Sequence, residues 1–160
     1  MRFGINRPHP TKDRQLNSAA KKAEIRGLIP HSGRMCLLDG VIEWDDRSIV
    51  CMSNTHRDPA NPLRREGRLS AVHAFEYGAQ AVAVHGGLRA RAAGATAPPG
   101  YLAALRDARL YAVRIDNIDA PLRICAKRLF GDEVNSVYEC RVAAENVPVA
   151  DGRVTIILRA

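Results

Sequence analysis

No apolar run in this chain of 160 residues approaches the roughly 18–20 residues that a membrane-spanning helix needs. No apolar segment follows the basic residues near the N-terminus either, so a cleaved secretory leader is not expected and the default compartment is the cytoplasm. None of the four cysteines, Cys36, Cys51, Cys125 and Cys140, forms a C-x-x-C pair, which argues against a zinc site or a disulfide framework and for buried small hydrophobes. Repeats at solenoid periods are missing, as are the motifs of helix-turn-helix, RNA-binding-sheet and zinc-finger proteins. The formal net charge of +7 does not reverse this reading. Of the charged side chains, 7 basic against 2 acidic fall in residues 1–26, so most of the excess belongs to a solvated tail and no nucleic-acid partner is expected.

What is present suits one domain with a sizeable core. Residues 1–24 are polar and basic without a sustained period and read as an extension, with a weak helix over residues 18–26; residues 25–160 form the domain. Two short apolar runs, residues 41–44 and 48–52, flank Asp45-Asp46-Arg47 as a hairpin. A polar loop over residues 56–69 carries Arg57, Arg64, Arg65 and Arg68. A helix follows from Ser70 or Ala71 to His85, with Ser70 as N-cap and Gly86-Gly87 as the stop. After an Ala, Gly and Pro-rich linker at residues 89–99 come strands at 101–113, 122–130, 136–144 and 153–158, with turns at Gly131-Asp132 and Asp151-Gly152. Two strands, one long helix and a run of strands make an α+β fold, an antiparallel sheet wrapped around one long central helix.

That helix has small or apolar residues on nearly every face, so it is expected to be surrounded by protein. One acid, Glu76, sits within it. Gln80 lies at i+4 and His73 at i−3, on the same edge. A buried carboxylate is costly unless hydrogen-bonded, and desolvation raises its pKa, which suits a general acid near neutral pH. A structural Glu tied to backbone or to an arginine fits the residues equally well.

Three stretches carry a family resemblance. Leu28-Ile29-Pro30-His31-Ser32-Gly33-Arg34-Met35-Cys36-Leu37-Leu38-Asp39 resembles the opening L-P-H-x-x-P-x-L-L-x-D of the hot-dog-fold 3-hydroxyacyl-[acyl-carrier-protein] dehydratases. His56-Arg57-Asp58-Pro59-Ala60-Asn61-Pro62-Leu63 with Glu76-Tyr77-Gly78-Ala79-Gln80 resembles their H-F-P-x-x-P-V and E-A-x-A-Q. The stretch from Tyr101 to Leu110 resembles the strand after their central helix, and the wording of the His56 loop looks closest to the aryl-polyene-type branch. The sequence departs from the pattern in two places. Glu76 follows His56 by 20 positions, further than in the family, with Arg64-Arg65-Glu66-Gly67-Arg68 as the insertion, and Ser70-Ala71-Val72 replaces the P-G-V before the helix.

The resemblance implies dehydration of 3-hydroxyacyl thioesters to trans-2-enoyl thioesters in fatty-acid or polyene-type biosynthesis. His56 would be the base, with His73 the alternative, and Glu76 the acid. Gln80 would orient Glu76 or a water, and the N–H groups of Val72 and His73 at the helix start would hold the thioester oxygen. His31 is read as structural and His85 as a cap or surface residue. Arg57, Arg64, Arg65 and Arg68 are either a solvated loop or a docking patch for an acidic carrier protein and the phosphopantetheine phosphate. The substrate is an acyl-carrier-protein or coenzyme A thioester, so 4'-phosphopantetheine enters with it. No metal, no further cofactor and no membrane partner is expected. The implied assembly is a homodimer or higher, or a pairing with a second hot-dog subunit. Two other functions compete: an acyl thioesterase on the same fold, and a non-catalytic subunit of a heteromeric dehydratase.

Overall fold

The computed structural model describes residues 20–159. Expectations about residues 1–19 lie outside them. Residues 20–24, expected as part of the extension, pack on the domain. Ala20 is buried, its carbonyl accepts the Val41 amide at 2.8 Å, and Lys22 pairs with Asp39 at 3.0 Å. A short helix, α1, spans Lys22–Arg26, inside the residues where a weak one was expected.

The hairpin forms as read, with β1 at Gly40–Trp44 and β2 at Ser48–Ser53. Asp45 Oδ1 closes it by accepting the amides of Arg47 and Ser48 at 2.8 Å each. Four further strands follow the central helix: β3 Gly100–Leu110, β4 Leu122–Gly131, β5 Asn135–Ala144 and β6 Val147–Leu158. All pair antiparallel in the order β1-β2-β4-β5-β6-β3. Alternation decides the faces. Leu122, Ile124 and Ala126 point inward while Arg123 and Lys127 point out, and Tyr138, Cys140 and Val142 continue the inner face.

The inner face wraps one long helix, the hot-dog arrangement. A single 3-10 turn at Ala71–His73 leads into α2, Ala74–Ala92. Ser70 is the N-cap, its hydroxyl accepting the Val72 amide. The helix does not stop at Gly86-Gly87. A Cβ at position 87 would meet Leu28 atoms at 3.1–3.2 Å, so this glycine admits the loop of residues 27–31 against the helix, and buried Leu88 continues the apolar face beyond it. Six buried residues, Phe75, Tyr77, Val82, Val84, Ile124 and Val154, join helix to sheet, each worth ~1.5–3 kcal/mol of burial.

Asp151-Gly152 is not a turn. Asp151 and Gly152 pair with Arg141 and Cys140 inside β6, and the reversal falls at Glu145-Asn146, both at positive φ (48° and 66°). Gly152 is glycine because Phe75 of the helix and the bulged backbone of β3 approach to 3.1–3.3 Å of where a Cβ would stand. Among the described residues strand β3 bonds only β6, and no residue of β3 is buried. Among the described residues no helix is long and apolar enough to cross a membrane.

Candidate active site

His56 lies in a 3-10 turn, Thr55–Arg57, just after β2. A polar network holds this turn against α2. The hydroxyls of Ser53 and Thr55 both donate to Leu37 O, at 2.6 and 2.8 Å. Their protons are thereby used, so the buried Tyr77 hydroxyl donates to Thr55 Oγ1 at 2.8 Å and accepts from Asn61 Nδ2 at 3.1 Å. Asn61 Nδ2 also bonds Thr55 O.

The imidazole of His56 is fully buried. Its Nε2 lies 2.9 Å from Ile118 O. A carbonyl only accepts, so Nε2 carries the proton and Nδ1 presents a lone pair; Nδ1 is buried and has no partner among the described residues. Burial pushes the His56 pKa below its ordinary value, with Arg57 and Arg64 acting in the same direction against the Ile118 and Ala120 carbonyls.

Glu76, in the first turn of α2, is not the buried carboxylate expected from the helix composition. Its side chain is 33% exposed and faces a cleft of about 830 Å³. Its partner is His31, Nε2 to Oε1 3.5 Å, so a residue read as structural stands beside the acid. His31 Nδ1 is also buried, with no hydrogen-bond partner among the described residues. The cleft runs along α2 past Val82, Ala83 and Ala90, under the first residues of β3, and His56 does not line it. Within one chain, therefore, Glu76 faces the cleft while His56 is buried away from it.

Gln80 does not touch Glu76. It is fully buried, accepts the Leu37 amide at 2.9 Å and donates to Met35 O at 2.6 Å, fastening the His31 loop to α2. His73 ends the 3-10 turn, is half-buried and makes no side-chain hydrogen bond among the described residues. The two helix-start amides are already engaged: His73 N donates to Ser70 O at 3.1 Å and Val72 N to Ser70 Oγ at 3.4 Å. His85 is no cap. It is fully buried in the middle of the lengthened helix, its Nε2 donating to Asp45 O at 2.6 Å and its Nδ1 accepting the Tyr138 hydroxyl at 2.8 Å, with Trp44 edge-on.

The loop arginines divide. Arg64 is structural: it donates to His56 O (3.2 Å) and Gly67 O (3.0 Å) and lies 3.8 Å from Asp116, whose carboxylate also takes Arg114 and the Leu69 amide. The Arg114 guanidinium foremost, with the Leu69 amide, holds the Asp116 carboxyl well below the usual carboxylate range. Arg57 bonds Asn54 Oδ1 and Arg65 bonds the Pro62 and Arg64 carbonyls; Arg68, like both of them, is exposed. Sequence reasoning passed over Asn61, Asp116 and the Ile118 carbonyl. Only Asn61 left a signal, standing between the prolines of the His56 loop; the other two act from after β3, through pairing no local pattern reveals.

The profile of the family described as ApeP-like, ApeP dehydratase, matches residues 23–159. Among solved structures, the dehydratase heterocomplex ApeI:P from Xenorhabdus doucetiae aligns with a TM-score of 0.78 at 24% identity, over 85% of this chain and 91% of that one. A hypothetical thioesterase with coenzyme A from Streptococcus pneumoniae TIGR4 aligns at 0.53 and 11% identity over 75% and 84%. A mutant thioesterase from Pseudomonas aeruginosa aligns at 0.53 and 13% over 87% and 94%. These similarities establish the hot-dog fold. No curated protein sequence matches the chain significantly.

Proposed function

The chain belongs to the ApeP-like dehydratase family, and from that premise we propose that it removes water from 3-hydroxyacyl thioesters, presented on acyl carrier protein in the cytoplasm, to give trans-2-enoyl thioesters for fatty-acid or aryl-polyene-type biosynthesis. The observation that carries the reading is His56: buried, pinned by Ile118 O in the tautomer that leaves Nδ1 bare, and weakened as a cation by burial. Such a group is a neutral base at physiological pH. Nδ1 takes the proton from C2, the C3–O bond breaks, and the Glu76 carboxyl protonates the departing hydroxyl. The C2–C3 double bond forms from the electron pair left by the proton. His56 then releases to solvent the proton taken from C2 and Glu76 takes one up from solvent, which restores both for the next turnover; His31, 3.5 Å from Glu76, is placed to pass that proton. The Val72 amide, held only by a long 3.4 Å bond, is the donor at the helix start that can turn to the thioester oxygen. This chemistry calls for no metal or redox group, and 4'-phosphopantetheine belongs to the substrate.

Because His56 does not line the cleft that Glu76 faces in one chain, the reading requires two chains. Strand β3 supports this. It is an edge exposed along its length, with Tyr101, Leu102, Leu105 and Leu110 each 37–48% exposed and Val113 beyond it 89%. An unpaired apolar edge is the surface a second copy, or a second hot-dog subunit, would continue as one sheet. His56 of one subunit then serves the cleft holding Glu76 of the other. The ApeI:P match, itself a heterocomplex, keeps the second reading alive: this chain as the non-catalytic subunit of a mixed dehydratase.

The test is dehydration of 3-hydroxyacyl thioesters by the purified chain, with enoyl product and free thiol followed separately. Enoyl formation supports the proposal. Thiol release without enoyl would assign a thioesterase, and no turnover alone but turnover with a second hot-dog chain would assign the accessory role.

A further inference from the structure

The cleft that starts at Glu76 ends at two arginines. Arg89 lies in the last turns of α2, and Arg128 lies on β4 at the bulge that shifts its register against β5. Both line the cleft. Among the described residues the buried Nε atom of each has no hydrogen-bond partner, and no carboxylate lies within ion-pair distance of either. Asp132, which also lines this end, has its Oδ1 occupied by the amides of Val134 and Asn135 at 2.7 Å each. Two guanidiniums in one cleft, each with a donor removed from water and neither in an ion pair among the described residues, leave a place for an anion. Their joint positive charge reaches Tyr138, where it opposes the rise in pKa that burial imposes.

The geometry between the two ends restricts the ligand. Arg89 follows Glu76 by 13 residues on one helix, which at ~1.5 Å per residue separates them by roughly 20 Å. The wall between is mostly apolar or small: Ala79, Val82, Ala83 and Gly86 on the helix, with Leu158 from the sheet. The ligand is thus long, uncharged along its length, anionic at one end and reactive at the other. A phosphopantetheine arm bearing a thioester has this form. We propose that Arg89 and Arg128 bind the phosphate of that arm, which lies along α2 with its thioester at Glu76. This rests on Glu76 being the reacting acid. It moves phosphate recognition away from the His56 loop, where Arg64 is tied to backbone and to Asp116 and no arginine lines the cleft. Two planar forks suit a phosphate dianion better than two lysines would.

The test is calorimetric binding of 4'-phosphopantetheine and of pantetheine, the same arm without phosphate, to the full chain and to Arg89→Gln, Arg128→Gln and Glu76→Gln. The wild type should bind the phosphorylated arm about tenfold more tightly, an advantage that shrinks as salt rises. Either arginine variant should abolish the preference while its circular dichroism and melting stay unchanged, and Arg89→Lys should keep part of it. Glu76→Gln should keep all of it, so a failure of the dehydration reading would leave this result standing. Equal affinity for the two arms in the wild type, or a preference that survives in both Arg89→Gln and Arg128→Gln, overturns the proposal. So does arginine-dependent binding of dodecanoate with none of phosphopantetheine, which would assign the site to a carboxylated acyl chain.

Discussion

Replacing Gln80 by leucine separates a structural from a catalytic role for this residue. The side chain is fully buried and bonds both a backbone amide, Leu37 N at 2.9 Å, and a backbone carbonyl, Met35 O at 2.6 Å. Leucine keeps the volume but strands one donor and one acceptor. Each buried orphan costs about 1–3 kcal/mol, so the expected loss is roughly 2–6 kcal/mol. In a chain of this length that lowers the melting temperature by something on the order of 10 °C. Gln80→Glu sharpens the test. A carboxylate can still accept from Leu37 N but must be protonated to donate to Met35 O, so its folded-state pKa is raised. The stability it retains is then present below the ordinary glutamate value and lost as pH rises through the folded one. Thermal and urea melts across pH measure both effects. A leucine variant that melts within a degree of wild type while losing turnover would refute the structural assignment and restore Gln80 to the chemistry.

Adjacent glycines in α2 should behave oppositely. Gly87→Ala, pressed against Leu28, should destabilise by about 1–3 kcal/mol, whereas Gly86→Ala, with nothing within 4 Å, should stabilise by up to about 1 kcal/mol; urea midpoints distinguish them. The pKa values of His85 and His56 are both lowered, chiefly by burial, so the folded state favours their neutral forms. Their contribution to stability should be complete above the ordinary histidine value of about 6.5 and fall as pH drops below it. Protonating His85 also takes away the acceptor for the Tyr138 hydroxyl, so His85→Gln should flatten that slope in urea titrations. Leu105→Arg on β3 should shift the assembly toward monomer in sedimentation and abolish turnover without lowering helix content.

Much of this was legible in the sequence because it is local. The hairpin at Asp45 and the helix start at Ser70 follow from residues adjacent in the chain. The departures arise where a distant segment decides. Gly86-Gly87 resembles a helix stop, but Gly87 is small to admit Leu28. Asp151-Gly152 resembles a turn, but Gly152 is small to admit Phe75, and Asp151 pairs with both Arg109 and Arg141 on its neighbouring strands. A helix poor in charge predicted a buried Glu76, yet its outer stripe of Ala79, Ala83, Gly86 and Ala90 lines an open cleft, because small residues also leave room. The resemblance pointed to His56 and Glu76; it could not supply the Ile118 carbonyl that fixes the tautomer of His56, or the His31 imidazole beside Glu76.

The central claim, that His56 and Glu76 of different chains make one site, is tested most directly by mixing. His56→Ala and Glu76→Gln chains, each folded and inactive alone, are unfolded together and refolded at equal concentration. Random pairing puts half of the chains in mixed dimers with one intact site each, so about a quarter of wild-type enoyl formation should return. A mixture that pairs normally and stays inactive would contradict the account.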